Sequence, residues 1–167
     1  MQSRFSYALC MFLRMFLPLC GALCWTSLLF AGPLPAPKIQ PPNLVHLGRG
    51  KTVTTQIDVA IAKPFHVQAN PASKAGMVAT EIIVEPAPGI RLEKVRYPHG
   101  VPFKFAQAGE PIEVYEGEFG IGLVLKADGH AEKGKQNVHA HLKYQACDEK
   151  TCFRPTELPF EFSVEIE

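Results

Sequence analysis

The sequence predicts an all-β protein, an antiparallel β-sandwich, and three observations support this prediction. Apolar and polar residues alternate with a period of two in several segments. After residue 31, no segment repeats apolar residues at the helical period of about 3.6 residues over ten or more positions. Turn-forming residues separate the alternating segments roughly every 8–12 residues, which is typical of sandwiches.

The composition is that of a globular protein without a strongly charged surface. The chain has 167 residues, of which 47% are hydrophobic, and 17 Lys and Arg stand against 16 Asp and Glu. Such a balance argues against a nucleic-acid-binding or polyanion-binding protein. The length allows one or two domains, and we expect one, since no internal repeat is present.

Residues 1–31 are predicted to be a signal peptide. Arg4 and Arg14 form a basic start, residues 15–31 carry no charge, and cleavage is expected after Ala31. The alternative is an uncleaved membrane anchor, in which the Arg14 side chain would have to reach the bilayer surface. Both interpretations place the domain outside the cytoplasm, in the periplasm or secreted, where disulfides persist.

Removing the predicted signal peptide changes the length, the charge balance and the cysteine count of the chain. Without 31 of its 167 residues, 136 remain, with 15 basic residues against 16 acidic ones and two of the five cysteines. The Pro-rich segment 32–42 is predicted to be an extended linker. The folded domain is then expected over residues 43–167.

Seven or eight short strands are predicted in this domain. In the last one, the apolar residues all fall on one face, at 158, 160, 162, 164 and 166. The alternation slips within 90–97, which predicts a β-bulge there. Because apolar and polar residues alternate, each sheet should bury one face and expose the other. The predicted strands are 52–62, 65–69, 78–85, 90–97, 112–115, 119–125, 138–144 and 158–166.

The two remaining cysteines are the most informative feature. Cys147 and Cys152 bracket four hydrophilic residues, which should keep this turn at the surface. A sulfur there can exchange with another protein through a mixed disulfide. A purely structural disulfide would close a loop of about six residues and contribute only ~2 kcal/mol. The spacing alone leaves redox and structural roles equally open.

The charges around the pair give no sign of a strongly activated thiol. Asp148 and Glu149 oppose thiolate formation, whereas Lys150 and Arg154 favour it. This balance suits a pair that a partner attacks and reduces. If one sulfur is attacked, we expect the outer one, Cys152.

Four segments together resemble one family. The stretch YQACDEKTCFRP at 144–155 resembles the Tyr-Gln-x-Cys…Cys-x-x-Pro signature of the N-terminal periplasmic domain of the disulfide reductase DsbD. Upstream, 65–71 is similar to that family's His-x-x-Ala-Asn segment. Residues 96–100 and 114–117 resemble its Tyr-Pro-x-Gly and Val-Tyr-Glu-Gly stretches, in the same order. The resemblance covers about residues 42–167.

The resemblance implies an immunoglobulin-like sandwich in which Cys147 and Cys152 are the redox pair. In the family this pair accepts electrons from a thioredoxin-like domain and passes them to oxidised periplasmic thiol proteins, including disulfide isomerases and cytochrome c maturation factors. A cap loop with an aromatic residue shields the pair. The matching region here is 97–115, and Phe103 or Phe105 is the candidate shield.

The resemblance also sets the expected partners. In the best-known member, a membrane domain and a thioredoxin-like domain follow, whereas this chain stops at Glu167 and has no thioredoxin-type Cys-x-x-Cys. We therefore expect a free-standing redox relay, rather than a stand-alone enzyme, that uses no cofactor. Its expected partners are thioredoxin-like redox proteins and a membrane electron transporter, with no nucleic acid, and a membrane only if the leader stays uncleaved.

Two other functions compete with this hypothesis. One is a non-enzymatic binding module whose Cys147–Cys152 disulfide is only structural. The other is a metal chaperone that uses His139 and His141 with the two cysteines, since these are zinc and copper ligands. Strand parity places His139 and His141 on the face opposite the apolar residues, so we expect them to be solvated and expect no metal site.

Two further groups are expected to be structural. His66 stands alone among apolar neighbours and is predicted to be a hydrogen-bonded packing residue. Glu113, Glu116 and Glu118 lie close together, but no nucleophile or sugar-binding aromatic platform accompanies them. They are predicted to form a solvated face.

Overall fold

The computed structural model describes residues 35–105 and 109–167. These residues form strands and connecting loops without a helix, and so no helix there could cross a membrane. The all-β prediction is therefore confirmed. The strands are β1 (Lys38–Gln40), β2 (Val45–Leu47), β3 (Thr52–Ile61), β4 (His66–Gln68), β5 (Glu81–Val84), β6 (Ile90–Arg96), β7 (Val101–Phe103), β8 (Ile112–Tyr115), β9 (Gly117–Ala127), β10 (Gly134–Tyr144), β11 (Ala146–Cys147) and β12 (Thr156–Ile166).

The strands form three four-stranded sheets. Sheet A has the order β1-β3-β9-β6, sheet B the order β2-β12-β10-β5, and sheet C the order β11-β4-β8-β7. Strand pairs are antiparallel, as expected, except that β2 runs parallel to β12, with Val45 opposite Val164. The long ladders β3–β9 and β10–β12 form the centres of sheets A and B.

One continuous core joins sheets A and B, which confirms the sandwich. The alternating residues of β12 contribute Phe162, Val164 and Ile166, each 4% exposed or less. Sheet A contributes apolar side chains from β3 and β9, including Ile57 and Leu123. These two residues and the three from β12 belong to one buried cluster. The period-two pattern therefore does select the buried face.

The predicted bulge in β6 is confirmed. The register of β6 against β9 shifts between Leu92 and Lys94, where the alternation in the sequence slips. The extra residue restores the inward direction of the apolar side chains that follow, since a shift of one position inverts the faces of a strand. Predicted strand 112–115 coincides with β8, and the other predicted strands overlap an observed strand.

Four strands were missed, because each has only two or three residues, too few to establish an alternating pattern. They are β1, β2, β7 and β11. Strand β1 lies within segment 32–42, for which a linker was expected. Instead, Lys38–Gln40 pairs with β3, with Ile39 opposite Val59. Backbone hydrogen bonding at a sheet edge needs no apolar pattern, so composition did not reveal this strand. The predicted signal peptide, 1–31, lies outside the described residues.

Candidate functional site

Cys147 and Cys152 form a disulfide across a tight turn. Within the turn, the Asp148 side chain accepts hydrogen bonds from the backbone N–H groups of Lys150 and Thr151, both at 2.8 Å. These two bonds, first that of Lys150, lower the pKa of Asp148 below its usual value. The turn is thus closed by the disulfide and by a carboxylate that caps its backbone.

The two cysteines differ in exposure. Cys147 is 0% exposed, whereas Cys152 lies at the surface. The second half of the turn is held in place next to Cys152, where the Phe153 N–H donates to the Ala146 carbonyl at 2.8 Å. The Phe153 ring also packs edge-on against Phe65, with 5.9 Å between centroids. An attacking thiolate therefore meets Cys152 before it can meet Cys147.

Sheet C positions the buried cysteine. Cys147 of β11 lies directly opposite His66 of β4, and residues opposite one another in a ladder project from the same face. Continuing across β8 and β7, Gln68 lies opposite Val114, and Phe103 opposite Ile112. We call this side of sheet C the site face; it carries Cys147, His66, Gln68, Val114, Ile112 and Phe103.

The other side of sheet C belongs to the core of the sandwich. Val67, Tyr115 and Ala146 are in the core cluster, whereas Cys147 is not. The disulfide therefore does not tie the core together. It lies on a surface that sheet C presents away from the main packing.

His66 is buried beneath two aromatic rings. The Phe103 ring lies 4.0 Å from the His66 ring and the Phe105 ring 5.7 Å from it, measured between centroids. The two phenyl rings contact each other edge-on, 5.1 Å apart. The structure thus brings both candidate shielding residues to the cross-strand neighbour of Cys147. Residues 106–108 of the expected cap region lie outside the described residues.

His66 is a buried packing residue, as predicted, but the predicted hydrogen bond is not found at its Nε2 atom. Its side chain is buried, with 1% exposure, but its Nε2 atom has no hydrogen-bond partner. Burial lowers the pKa of His66, because the imidazolium form loses hydration, while Glu116 and Asp148 act in the opposite direction. In its neutral form, an imidazole has one ring nitrogen that carries no proton and can accept a hydrogen bond.

Gln68 is the site residue that sequence reasoning missed entirely. It is 0% exposed, and its Nε2 donates a hydrogen bond to the Cys147 sulfur at 3.6 Å. Its Oε1 has no partner. The only signal in the sequence is that His66 and Gln68 alternate as polar residues within an otherwise apolar segment.

The remaining family-like motifs hold sheet C together. The Tyr115 hydroxyl accepts a hydrogen bond from the Asn70 N–H at 3.0 Å and donates one to the Pro98 carbonyl at 3.1 Å. Burial raises the pKa of Tyr115. A side chain at Gly100 would place its Cβ 2.9 Å from that of Glu113 and 3.0 Å from that of Ala69. The 66–71, 97–100 and 114–117 segments therefore meet at the edge of the site.

The alternative metal ligands lie elsewhere. His139 and His141 are on the outer face of sheet B, as strand parity predicts, beside Glu161 and Glu85 respectively. Within residues 35–105 and 109–167, no three His, Cys, Asp or Glu side chains are arranged to hold a metal ion. The acidic residues Glu113, Glu116 and Glu118 are exposed, as expected.

A solved structure shares the fold. The N-terminal periplasmic domain of ScsB from Proteus mirabilis matches with a TM-score of 0.51 and 16% identity, covering 75% of this chain and 44% of that one. This chain thus spans less than half of that structure, and the similarity concerns the fold. AggA, the major subunit of an adherence fimbria from Escherichia coli, matches with a TM-score of 0.37 and 6% identity, over 79% of this chain and 95% of that one. That score supports no conclusion about this chain.

The family comparison covers most of the chain. No curated protein sequence matches significantly. The family model of the thiol:disulfide interchange protein DsbD, N-terminal, matches residues 33–163. That range contains the whole of sheet C, both cysteines and the three motifs around them. This chain belongs to the family of DsbD N-terminal domains.

Proposed function

We propose that this protein is a thiol–disulfide exchange domain that relays electrons through Cys147 and Cys152. The observation that carries the proposal is the asymmetry of the pair, since Cys152 is exposed and Cys147 is fully buried beside two polar side chains. Exchange needs one sulfur that a partner can reach. The buried sulfur then serves as the leaving group and later closes the bond again.

The position of the disulfide argues against a purely structural role. Both cysteines are absent from the core cluster that joins sheets A and B. They are five residues apart, and closing so short a loop stabilises a fold by only about 2 kcal/mol. A bridge whose task is stability would gain more by connecting distant strands.

The proposed relay proceeds in two displacements. A thiolate of a thioredoxin-like donor attacks Cys152 Sγ, the disulfide breaks, and Cys147 Sγ takes the bonding electron pair and then a proton. The donor's second thiolate then attacks the other donor sulfur, the one bonded to Cys152 in the mixed disulfide. Cys152 leaves as a thiolate, which is then protonated. Two electrons and two protons have moved, and the donor has become a disulfide. The reduced pair then passes its two electrons to the disulfide of an oxidised thiol protein by the same steps in reverse.

Family membership supports a proposed location and a proposed class of partners. We place the domain outside the cytoplasm, in the periplasm or secreted, with residues 1–31 as a signal peptide. Its donor is a thioredoxin-like protein, and its acceptors are oxidised thiol proteins, such as disulfide isomerases or cytochrome c maturation factors. The contacts of Phe103 and Phe105 with His66 support a shielding role for these two rings.

A redox titration against glutathione tests the proposal. We expect a reduction potential above about −300 mV, since structural disulfides of secreted proteins usually lie below that value. A lower potential would instead support a binding module with a structural disulfide.

Trapping identifies the attacked sulfur. The Cys147→Ser and Cys152→Ser variants are each mixed with a thioredoxin whose only cysteine carries a thionitrobenzoate leaving group. We expect Cys147→Ser, which keeps the exposed Cys152, to form the mixed disulfide at least about tenfold faster, because reaction requires access. Equal rates, or no complex with either variant, would contradict the proposed role of Cys152.

A further inference from the structure

Two buried polar side-chain atoms lie on the site face without a hydrogen-bond partner. In the described part of the chain, His66 Nε2 and Gln68 Oε1 are the buried side-chain nitrogen and oxygen atoms that have no partner. Both belong to β4, at positions that project toward the same side as Cys147. We propose that His66 and Gln68 form a hydrogen-bonding site for the reduced Cys147 thiol, so that opening the disulfide supplies one S–H donor that either atom can accept.

The placement of both residues supports this assignment. His66 lies directly opposite Cys147 in the β4–β11 ladder, and such opposed Cβ atoms are about 4.5–5.5 Å apart. Gln68 projects from the same face two residues later, and its Nε2 is 3.6 Å from the Cys147 sulfur. The amide of Gln68 therefore already contacts the sulfur with its donor end, and rotation about the last bond of its side chain would present Oε1 to an S–H donor.

The chemistry of sulfur explains why the acceptors lack a partner in this state. A disulfide sulfur carries no hydrogen and can only accept, whereas a thiol has an S–H donor. With its proton on Nδ1, a neutral imidazole offers Nε2 as an acceptor. Burial favours this neutral form of His66 by lowering its pKa, although the nearby Glu116 and Asp148 oppose the shift.

The consequence is a bias toward the reduced protein. Buried acceptors without donors disfavour the oxidised form, and a Cys147 thiol that donates to one of them removes that penalty. Replacing the acceptors with apolar groups should therefore favour the disulfide. His66 and Gln68 act here as positioning residues, since neither forms nor breaks a covalent bond.

Equilibrium with dithiothreitol measures this bias directly. Its thiolate attacks the disulfide, the protein gains two electrons and two protons, and dithiothreitol closes to its cyclic disulfide. We expect His66→Phe and Gln68→Met each to lower the equilibrium constant for reduction by about tenfold, which corresponds to a potential about 30 mV lower.

Thr80→Val is the matched control. Thr80 is also 0% exposed, but its hydroxyl donates to the Gln68 backbone carbonyl at 2.6 Å, a bond that is independent of the redox state. We expect it to lower the free energy of unfolding and to leave the redox equilibrium unchanged. An equilibrium constant in His66→Phe and Gln68→Met equal to that of the wild type, or an equal shift in Thr80→Val, would overturn the proposal.

The unmodified protein gives a second test that does not depend on any variant folding. In ¹⁵N NMR spectra of the wild type, the His66 Nε2 or Gln68 side-chain resonance should move on reduction, as expected for a new hydrogen bond. If neither resonance changes, the inference is wrong.

The inference rests on the proposed relay function only for its biological use, and the two can fail separately. A wild-type potential below about −300 mV would contradict the relay. The shift between wild type and variants would still be measurable.

Discussion

His66 has properties that its neighbours in the sequence do not reveal. It lies in a short strand between Phe65 and Val67, yet its ring contacts Phe103, which is 37 positions later in the chain. Its partner across the ladder, Cys147, is 81 positions later. The same imidazole on an exposed strand would be an ordinary solvated side chain. Its burial and its lack of a partner both come from these distant contacts.

Burial of His66 makes the stability of the protein depend on pH. Because its pKa in the folded state lies below its ordinary value of 6.5, the unfolded chain binds more protons as pH falls through that value. The free energy of unfolding should therefore decrease as pH falls below about 7. Urea unfolding at several pH values measures this dependence.

Two variants check the origin of that dependence. His66→Phe should reduce the slope of the unfolding free energy against pH over this pH range, because it removes the titrating group. Replacing the exposed His130 by Gln should leave the slope as in the wild type. Asp148, whose pKa is lowered from 3.8, also contributes to the free energy of unfolding, but this contribution is lost only at lower pH. An unchanged slope in His66→Phe would contradict the prediction.

At the scale of elements, sheet C is built from short strands that depend on one another. Its strands β11, β4, β8 and β7 have between two and four residues each, too few to be stable alone. The Tyr115 hydroxyl joins the Asn70 and Pro98 segments, and Gly100 allows the close approach of Glu113 and Ala69. The site face is therefore held by turns and side-chain hydrogen bonds more than by long ladders.

Gly100→Ala tests how closely β7 must approach its neighbours. The new Cβ would lie 2.9 Å from the Glu113 Cβ, so β7 must move, and we expect a loss of about 1–3 kcal/mol in the free energy of unfolding. Gly109→Ala is the control, since no other described residue has an atom within 4 Å of its Cβ position, and its effect should stay within about 0.5 kcal/mol. Equal losses in the two variants, measured by urea unfolding, would argue against this packing constraint.

At the scale of the whole molecule, the sandwich and the redox pair are separate. The core cluster draws on sheets A, B and one side of sheet C, without either cysteine. Breaking the disulfide should therefore alter the site face and leave the main packing in place. A relay benefits from this arrangement, because it must be folded in both states to meet its partners.

We therefore expect the protein to remain folded when the disulfide is reduced. The loss in the free energy of unfolding should be no more than about 2 kcal/mol, the entropy of closing a six-residue loop in the unfolded chain. Urea unfolding with and without reductant measures this difference, and Cys147→Ser/Cys152→Ser provides a control that reductant cannot affect. Cooperative unfolding upon reduction at 25 °C would show that the disulfide is structural.

The sequence by itself determined the all-β class, the faces of the long strands, the bulge in β6 and the cysteine pair. Each of these depends on local patterns, namely alternation, a slip in that alternation, or close spacing. Only the tertiary structure decided that Cys147 is buried and Cys152 exposed, that Lys38–Gln40 joins sheet A, and that His66 and Gln68 flank the sulfur. Those features depend on the register between strands far apart in the chain, which no local pattern encodes.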